Sequence, residues 1–128
     1  MKTKFRVWDK NELKFIRGNG IRIDGDGKIY EYSMEQSKWI YNDFLIPIFF
    51  TGLKDKNGKE IYEGDIVAWQ SFSNRTLENG NVGQIVWHNR ELGFRIKENH
   101  TNYSPAIYKK IKVIGNVYQN PELLKEDK

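Results

Sequence analysis

The sequence predicts a mainly β protein, with an N-terminal β-meander, a small SH3-like barrel and a short C-terminal helix. Short apolar runs rich in Ile, Val and aromatic residues recur at close intervals, and turns bearing Gly or Asn separate them. Aromatic residues make up 14% of the 128 residues, as is typical of strands. We expect one domain with three regions: the meander at 1–50, the barrel at 51–120 and the helix or tail at 121–128.

Four short strands are predicted in the first region. Phe5 and Val7 alternate with polar neighbours, and the same alternation or a short apolar run recurs after each turn. The predicted strands are Lys4–Asp9, Leu13–Arg17, Ile21–Ile23 and Lys28–Tyr32.

The next stretch is ambiguous in sequence. Ser33 and Gln36 have the spacing of a capping box, so Ser33–Tyr41 is either a single helical turn or an irregular loop. Phe44–Phe50 is predicted to be a buried strand, which Pro47 restricts to an edge or bulged position. This stretch is more apolar than one edge of a small domain readily hides, so we also expect self-association.

The central stretch Thr51–Trp69 specifies backbone geometry. Asn57-Gly58 is a strong tight-turn signal, because both residues tolerate positive φ. Gly64 and Asp65 form a second turn before an apolar strand, and Gly52 indicates a further change of direction.

The last part of the chain predicts a hairpin, a final strand and a helix. Val82–Trp87 and Leu92–Ile96 form the hairpin, and Lys112–Tyr118 is the final strand. Ser71–Asn81 and Lys97–Ser104 are polar loops. Asn120 is placed to cap a short helix that begins at Pro121.

Three motifs resemble a known family. They are TGLKDKNGKEIYEGDIV from Thr51, KFRVWD from Lys4 and VIGNVYQNPELL from Val113. Together they resemble the YopX family, small proteins encoded by bacteriophages and by prophages of Gram-positive bacteria. Ser33–Phe50 and Ser71–Asn81 fit the family pattern poorly. The resemblance implies a fold and a genomic setting, and it implies no activity.

Composition excludes several function classes. The chain has no cysteine, so it has no disulfide, thiolate zinc site or cysteine nucleophile. No apolar run approaches the length of a membrane helix and no signal sequence is evident, so we expect a protein of the bacterial cytoplasm. The net charge of +4 permits an acidic partner without requiring one.

Metal and catalytic motifs are weak. Aligning Gly27 with the invariant glycine of a calcium loop puts Arg22 first and Ser33 last, so Asp24-Gly25-Asp26-Gly27 is interpreted as a hairpin turn. His88 and His100 have no partner at ligand spacing. We therefore predict no metal and no cofactor.

One carboxylate cluster keeps an alternative open. Glu60, Glu63 and Asp65 lie close in sequence and could serve a small metal-dependent enzyme. The competing interpretation is structural: Asp65 accepts turn amides, and the two glutamates lie on a solvated surface.

Aromatic and basic residues carry the leading functional hypothesis. Small barrels bind single-stranded nucleic acid by stacking bases on exposed aromatics beside cations, although Trp69, Trp87 and Phe94 could instead form the core. We predict a non-catalytic binding module for a host or phage protein or, weakly, for nucleic acid; a structural homo-oligomer is a further alternative. The candidate partner-binding residues are Arg75, Arg90, Arg95, Lys97, Tyr103, Lys109, Lys110 and Lys112.

Overall fold

The structure is a computed structural model that describes residues 4–16, 20–69, 81–90, 92–98, 101–103 and 110–124, with only the backbone described at 101–103. Strands dominate it, as predicted. The chain forms two compact units, Met1–Phe49 and Phe50–Lys128, and each is described by itself.

The first unit contains a hairpin that pairs with a later strand. Strand β1 (Phe5–Asp9) pairs antiparallel with β2 (Lys14–Ile16) on one side and with β6 (Leu45–Lys54) on the other. The carboxylate of Asp9 accepts hydrogen bonds from the backbone N–H groups of Asn11 and Glu12, at 2.8 and 3.0 Å. This side chain therefore stabilises the turn that the sequence predicts after β1.

A three-stranded antiparallel meander completes the first unit. It consists of β3 (Ile21–Ile23), β4 (Ile29–Ser33) and β5 (Lys38–Tyr41), in that spatial order. The predicted four-stranded meander is wrong, because its first two strands pair with each other and β1 pairs with β6, in a sheet separate from β3 and β4. Apolar side chains of both sheets form the core of this unit: Val7, Ile29 and Leu45, with Phe5, Ile16, Ile21 and Ile23 packed against them.

Strand β5 occupies the stretch for which the sequence predicts either a helical turn or a loop. Ser33 Oγ accepts the N–H of Gln36 at 3.1 Å, as a capping box requires, but the chain reverses there and no helix follows. Ser37 adopts a φ of 53°, which turns the chain back along β4. The capping pattern thus stabilises a hairpin turn.

Strand β6 accounts for the apolar stretch Phe44–Phe50. Its residues Leu45–Phe49 pair with β1, and Pro47 lies opposite Val7. Phe50 and Lys54 then pair with β7 (Glu60–Tyr62), with an irregularity between them where Gly52 has a φ of 89°. In the described residues the segment around Pro47 pairs with β1 alone, and β6 is irregular further on, which agrees with the predicted edge or bulged position.

The second unit contains a five-stranded antiparallel sheet. Its spatial order is β11 (Thr101–Tyr103), β10 (Gly93–Glu98), β9 (Asn81–His88), β8 (Asp65–Trp69) and β12 (Lys112–Asn116). One face carries the core, which consists of Ile61, Val67, Trp69, Ile85, Ile96, Ile111 and Val113. A side chain at Gly83 would lie 2.8 Å from Ile96, so this position admits only glycine without rearrangement.

The predicted C-terminal helix is a single 3-10 turn, Pro121–Leu124. The side-chain oxygen of Asn120 accepts the N–H of Asn116 at 3.3 Å instead of capping a following helix. A side chain at Gly115 would meet Asn120 and Leu123 at 2.6 and 2.9 Å, so the turn packs directly on β12.

Candidate functional site

The turn at Asp55–Gly58 is built around one buried carboxylate. Asp55 Oδ1 accepts the N–H groups of Asn57 and Lys59 at 2.8 and 2.9 Å, and Gly58 has a φ of 81°. Asp55 Oδ2 accepts the N–H of Val113 at 2.9 Å. The most distinctive stretch of the sequence thus joins the β6–β7 turn to the last strand, which is a structural role.

The second turn of this stretch is equally structural. Asp65 Oδ2 accepts the N–H of Tyr62 at 2.8 Å, and Asp65 is buried. Gly64 has a φ of 87°, and an added Cβ would lie 2.8 Å from the ring of Tyr118. Positive φ and close packing therefore both require glycine here.

The carboxylates of the enzyme alternative do not form a metal site. Within the described residues, no group of three or more His, Asp or Glu side chains is arranged to hold a metal ion. Burial raises the pKa of Glu63 above its ordinary value. Asp65 serves the turn, as its structural interpretation predicted.

The calcium-loop residues also form a turn. Asp24 Oδ1 and Asp26 Oδ1 both accept the N–H of Lys28, at 3.1 and 3.3 Å, and Gly27 has a φ of 84°. Both carboxylates thus order the β3–β4 hairpin. His88 ends β9 and is half-buried, and His100 lies outside the described residues.

The aromatic residues of the five-stranded sheet divide between core and surface. Trp69 is buried, and Phe94 is half-buried against the same core. Trp87 is 47% exposed and makes an edge contact with Phe94, with the ring centroids 5.2 Å apart. The core interpretation thus holds for Trp69, and Trp87 remains available to a partner.

The basic candidates lie on several parts of the second unit. Arg95 and Lys97 flank the core residue Ile96, and Lys112 precedes the core residue Val113, so all three lie on the sheet face opposite the core. Arg90 lies in the β9–β10 turn, and Lys110 is exposed just before β12. Arg75, Lys109 and the side chain of Tyr103 lie outside the described residues.

Sequence reasoning missed an aromatic face on the three-stranded sheet. We use this name for Tyr30, Tyr32, Trp39 and Tyr41, which share one side of β4 and β5. The register places Tyr30 opposite Tyr41 and Tyr32 opposite Trp39, with ring centroids 5.7 and 5.3 Å apart. Arg22 lies over Tyr30 and Trp39 at 4.9 and 5.1 Å. The sequence Lys38–Tyr41 (KWIY) alternates aromatic with other residues. This alternation places Trp39 and Tyr41 on one face only if the segment forms a strand, which the sequence alone did not predict.

A polar cleft of about 380 Å³ lies in the first unit. Its lining residues are Asp9, Asn11, Glu12, Lys14, Ile16, Glu31, Asn42 and Phe44. Several of its charged groups already have partners: Lys14 pairs with Glu12 at 2.8 Å, and Glu31 accepts a hydrogen bond from Asn42 at 2.8 Å. Most of the charged groups named here therefore already interact with other side chains of the cleft.

No helix in the described part of the chain is long and apolar enough to cross a membrane.

Comparisons with known proteins extend over nearly the whole chain. The SPbeta prophage-derived protein YopX of Bacillus subtilis (strain 168) is 28% identical over an alignment of 142 positions, which covers 97% of each chain. A crystal structure of protein EF1440 from Enterococcus faecalis aligns with a TM-score of 0.64 at 25% identity, covering 98% of this chain and 99% of that one.

The crystal structure of Bacillus subtilis yopX shares the fold, with a TM-score of 0.61 at 24% identity and with 98% of this chain and 100% of that one covered. The YopX protein family matches residues 4–125, from the residue before β1 to just beyond the 3-10 turn. All three motifs thus fall within a single match that covers most of both units, and the chain belongs to the YopX family.

Proposed function

We propose that this chain is a non-catalytic accessory protein of phage or prophage origin that binds a macromolecular partner in the bacterial cytoplasm. Its binding unit is the five-stranded sheet, interpreted as an SH3-like barrel. The observation that carries the proposal is the exposure of Trp87.

Trp87 is exposed although its strand neighbour belongs to the core. Ile85, two residues earlier on the same side of β9, is only 2% exposed, whereas Trp87 is 47% exposed. Tryptophan and arginine are enriched among the residues that dominate binding energy in interfaces. Arg90 lies in the turn of the same hairpin, so a cation lies close in sequence to the exposed ring.

Single-stranded nucleic acid is the partner that this chemistry favours first. An exposed aromatic ring stacks on a base of any sequence, at about 1–3 kcal/mol per base. Lys110 is an exposed cation of the same unit and would engage phosphates, whereas Lys97 and Lys112 lie on the sheet face opposite the one that carries Ile85 and Trp87. Because the net charge is only +4, binding is expected to be weak, with a dissociation constant in the micromolar range.

The test is fluorescence anisotropy with a labelled single-stranded oligonucleotide at about 50 mM salt. Trp87→Ala is expected to weaken binding by roughly tenfold, the loss of one stacked base. Phe44→Ala is the matched control, because Phe44 is 51% exposed and belongs to the first unit. No binding at tens of micromolar protein would reject nucleic acid, and a host or phage protein would become the leading partner class.

A further inference from the structure

The exposed apolar side chains of the first unit are concentrated in one segment. Residues 32–44 contribute Tyr32, Met34, Trp39, Ile40, Tyr41 and Phe44. All four residues of β5 are exposed, so the strand shows both faces to solvent. An apolar concentration of this kind marks a surface that contacts another protein.

Strand β5 also has an open edge. In the described part of the chain it is the last strand of its sheet and pairs with β4 alone. The N–H of Asn42, just after β5, donates to the C=O of Ile29 on β4 at 3.0 Å. Asn42 and Ile29 are therefore a hydrogen-bonded pair of the β4–β5 antiparallel pairing. Because pairs alternate along antiparallel strands, Ile40 also turns its backbone groups toward β4, and Trp39 and Tyr41 turn theirs toward the open edge.

We propose that two copies of this chain associate through β5, with the two strands antiparallel about a two-fold axis at Ile40. The two three-stranded sheets then form one continuous sheet of six strands. This association does not depend on the partner proposed above, which binds the other unit.

The register follows from the backbone and from the pleat. Residues directly opposite each other in a sheet share a face, and the outward backbone groups belong to Trp39 and Tyr41. An axis at Ile40 pairs Trp39 of one copy with Tyr41 of the other copy, and the reverse. In each pair the N–H of either residue donates to the C=O of its partner. The aromatic faces therefore join into one surface, with an aromatic pair on each side of the axis.

Charge complementarity supports the same register on the opposite face. Lys38, Ile40 and Asn42 alternate with the aromatic residues, and Glu31 lies opposite Ile40 within the sheet. The axis places Lys38 across from Asn42 of the second copy, whose side-chain amide donates to Glu31 at 2.8 Å. The Lys38 ammonium group of each copy thus approaches the Glu31 carboxylate of the other copy. At the axis, between these two charge pairs, the Ile40 side chains of the two copies pack against each other.

The strand carries few features that block edge pairing. Edge strands are usually protected by proline, by inward-pointing charge or by a bulge. β5 contains no proline and has one charged residue, Lys38, at its first position. The apolar stretch Phe44–Phe50, from which self-association was expected, mostly pairs with β1 instead, and its Leu45 and Ile48 are buried.

The test is sedimentation equilibrium of the full chain across micromolar concentrations. Wild type is expected at twice the chain mass of 15.2 kDa. Ile40→Lys and Ile40→Glu each place like charges opposite one another across the axis, so each variant alone is expected at the single chain mass. An equimolar mixture of the two variants is expected to restore the dimer, because opposite charges then meet.

Ile114→Lys is the matched control, since Ile114 is 38% exposed on β12 and Ile40 is 37% exposed. It should leave the dimer intact. Amide exchange of wild type gives a readout without substitution: the N–H groups of Trp39 and Tyr41 should become protected as protein concentration rises. A monomeric wild type, an assembly that both charged variants leave intact, a mixture that stays monomeric, or unprotected Trp39 and Tyr41 amides would each overturn the proposal.

Discussion

The carboxylate of Asp55 accepts a hydrogen bond from the backbone N–H of Val113 at 2.9 Å, across 58 positions of sequence. Its other oxygen accepts two N–H groups within its own turn. Lys56 N also donates to Ile111 O at 3.0 Å, so the β6–β7 turn and the residues around the start of β12 are joined twice. One buried side chain therefore determines both a local turn and a long-range strand position.

Asp55→Ala is expected to lower the free energy of unfolding by about 2–4 kcal/mol, because it leaves backbone donors without an acceptor in a buried place. Urea unfolding measures this loss. The matched control is Asp26→Ala: Asp26 also accepts a turn amide, but it is exposed and shares its donor, Lys28 N, with Asp24. The control should lose less than about 1 kcal/mol. Equal midpoints for the two variants would contradict the role of Asp55.

Gly58→Val tests the strain of the Asn57-Gly58 turn. Gly58 has a φ of 81° and nothing lies within 4 Å of an added Cβ, so the cost is backbone strain without steric collision. We expect the free energy of unfolding to fall by about 1–3 kcal/mol. Gly25→Val is the control, since Gly25 lies in a similar open turn without positive φ. An unchanged urea midpoint for Gly58→Val would show that the turn is not constrained there.

The turn chemistry was predictable from sequence because it is local. Gly52, Gly58 and Gly64 all have positive φ, for reasons internal to a few residues, whereas Asn57 beside Gly58 does not. Pairing between distant strands is a different matter. Whether β2 joins β3 or stays with β1 and β6 depends on packing among residues far apart in sequence, and no local pattern specifies it.

The exposure of Trp87 and the aromatic face was predictable only in part, because exposure also depends on packing among residues far apart in sequence. The strand pattern around Trp87 indicates that it alternates with its neighbours, but its exposure depends on where the core ends along β9. The capping pattern of Ser33 and Gln36 fits a hairpin turn as well as a helix start, so β5 and the aromatic face were missed.

Glu63→Gln is expected to stabilise the protein at neutral pH. Burial raises the pKa of Glu63 in the folded chain, so folding favours its protonated form. The stability that this group contributes is present below its unfolded pKa and is lost as pH rises through the folded pKa. The gain from the neutral Gln should therefore be seen near pH 7 and vanish below about pH 4.

Asp55→Asn should show the opposite trend and serves as the control for that pH series. Burial raises the pKa of Asp55, but the N–H groups of Val113, Lys59 and Asn57 outweigh burial and hold the pKa below its ordinary value. The stability from Asp55 is present above its unfolded pKa and is lost as pH falls through the folded pKa. Urea midpoints across the acid range measure both variants. A gain for Glu63→Gln that persists in acid would show that it does not arise from charge.

The salt dependence of nucleic-acid binding separates phosphate contacts from stacking. Each neutralised phosphate releases counterions, so affinity falls steeply with salt. Lys109→Ala and Lys110→Ala should weaken binding to all sequences alike and reduce the salt slope by about one unit for each true contact. Trp87→Ala should weaken binding without changing the slope, because stacking releases no counterion. Anisotropy titrations from about 50 to 200 mM salt measure these slopes. Slopes that neither lysine variant changes would remove Lys109 and Lys110 from the nucleic-acid interface.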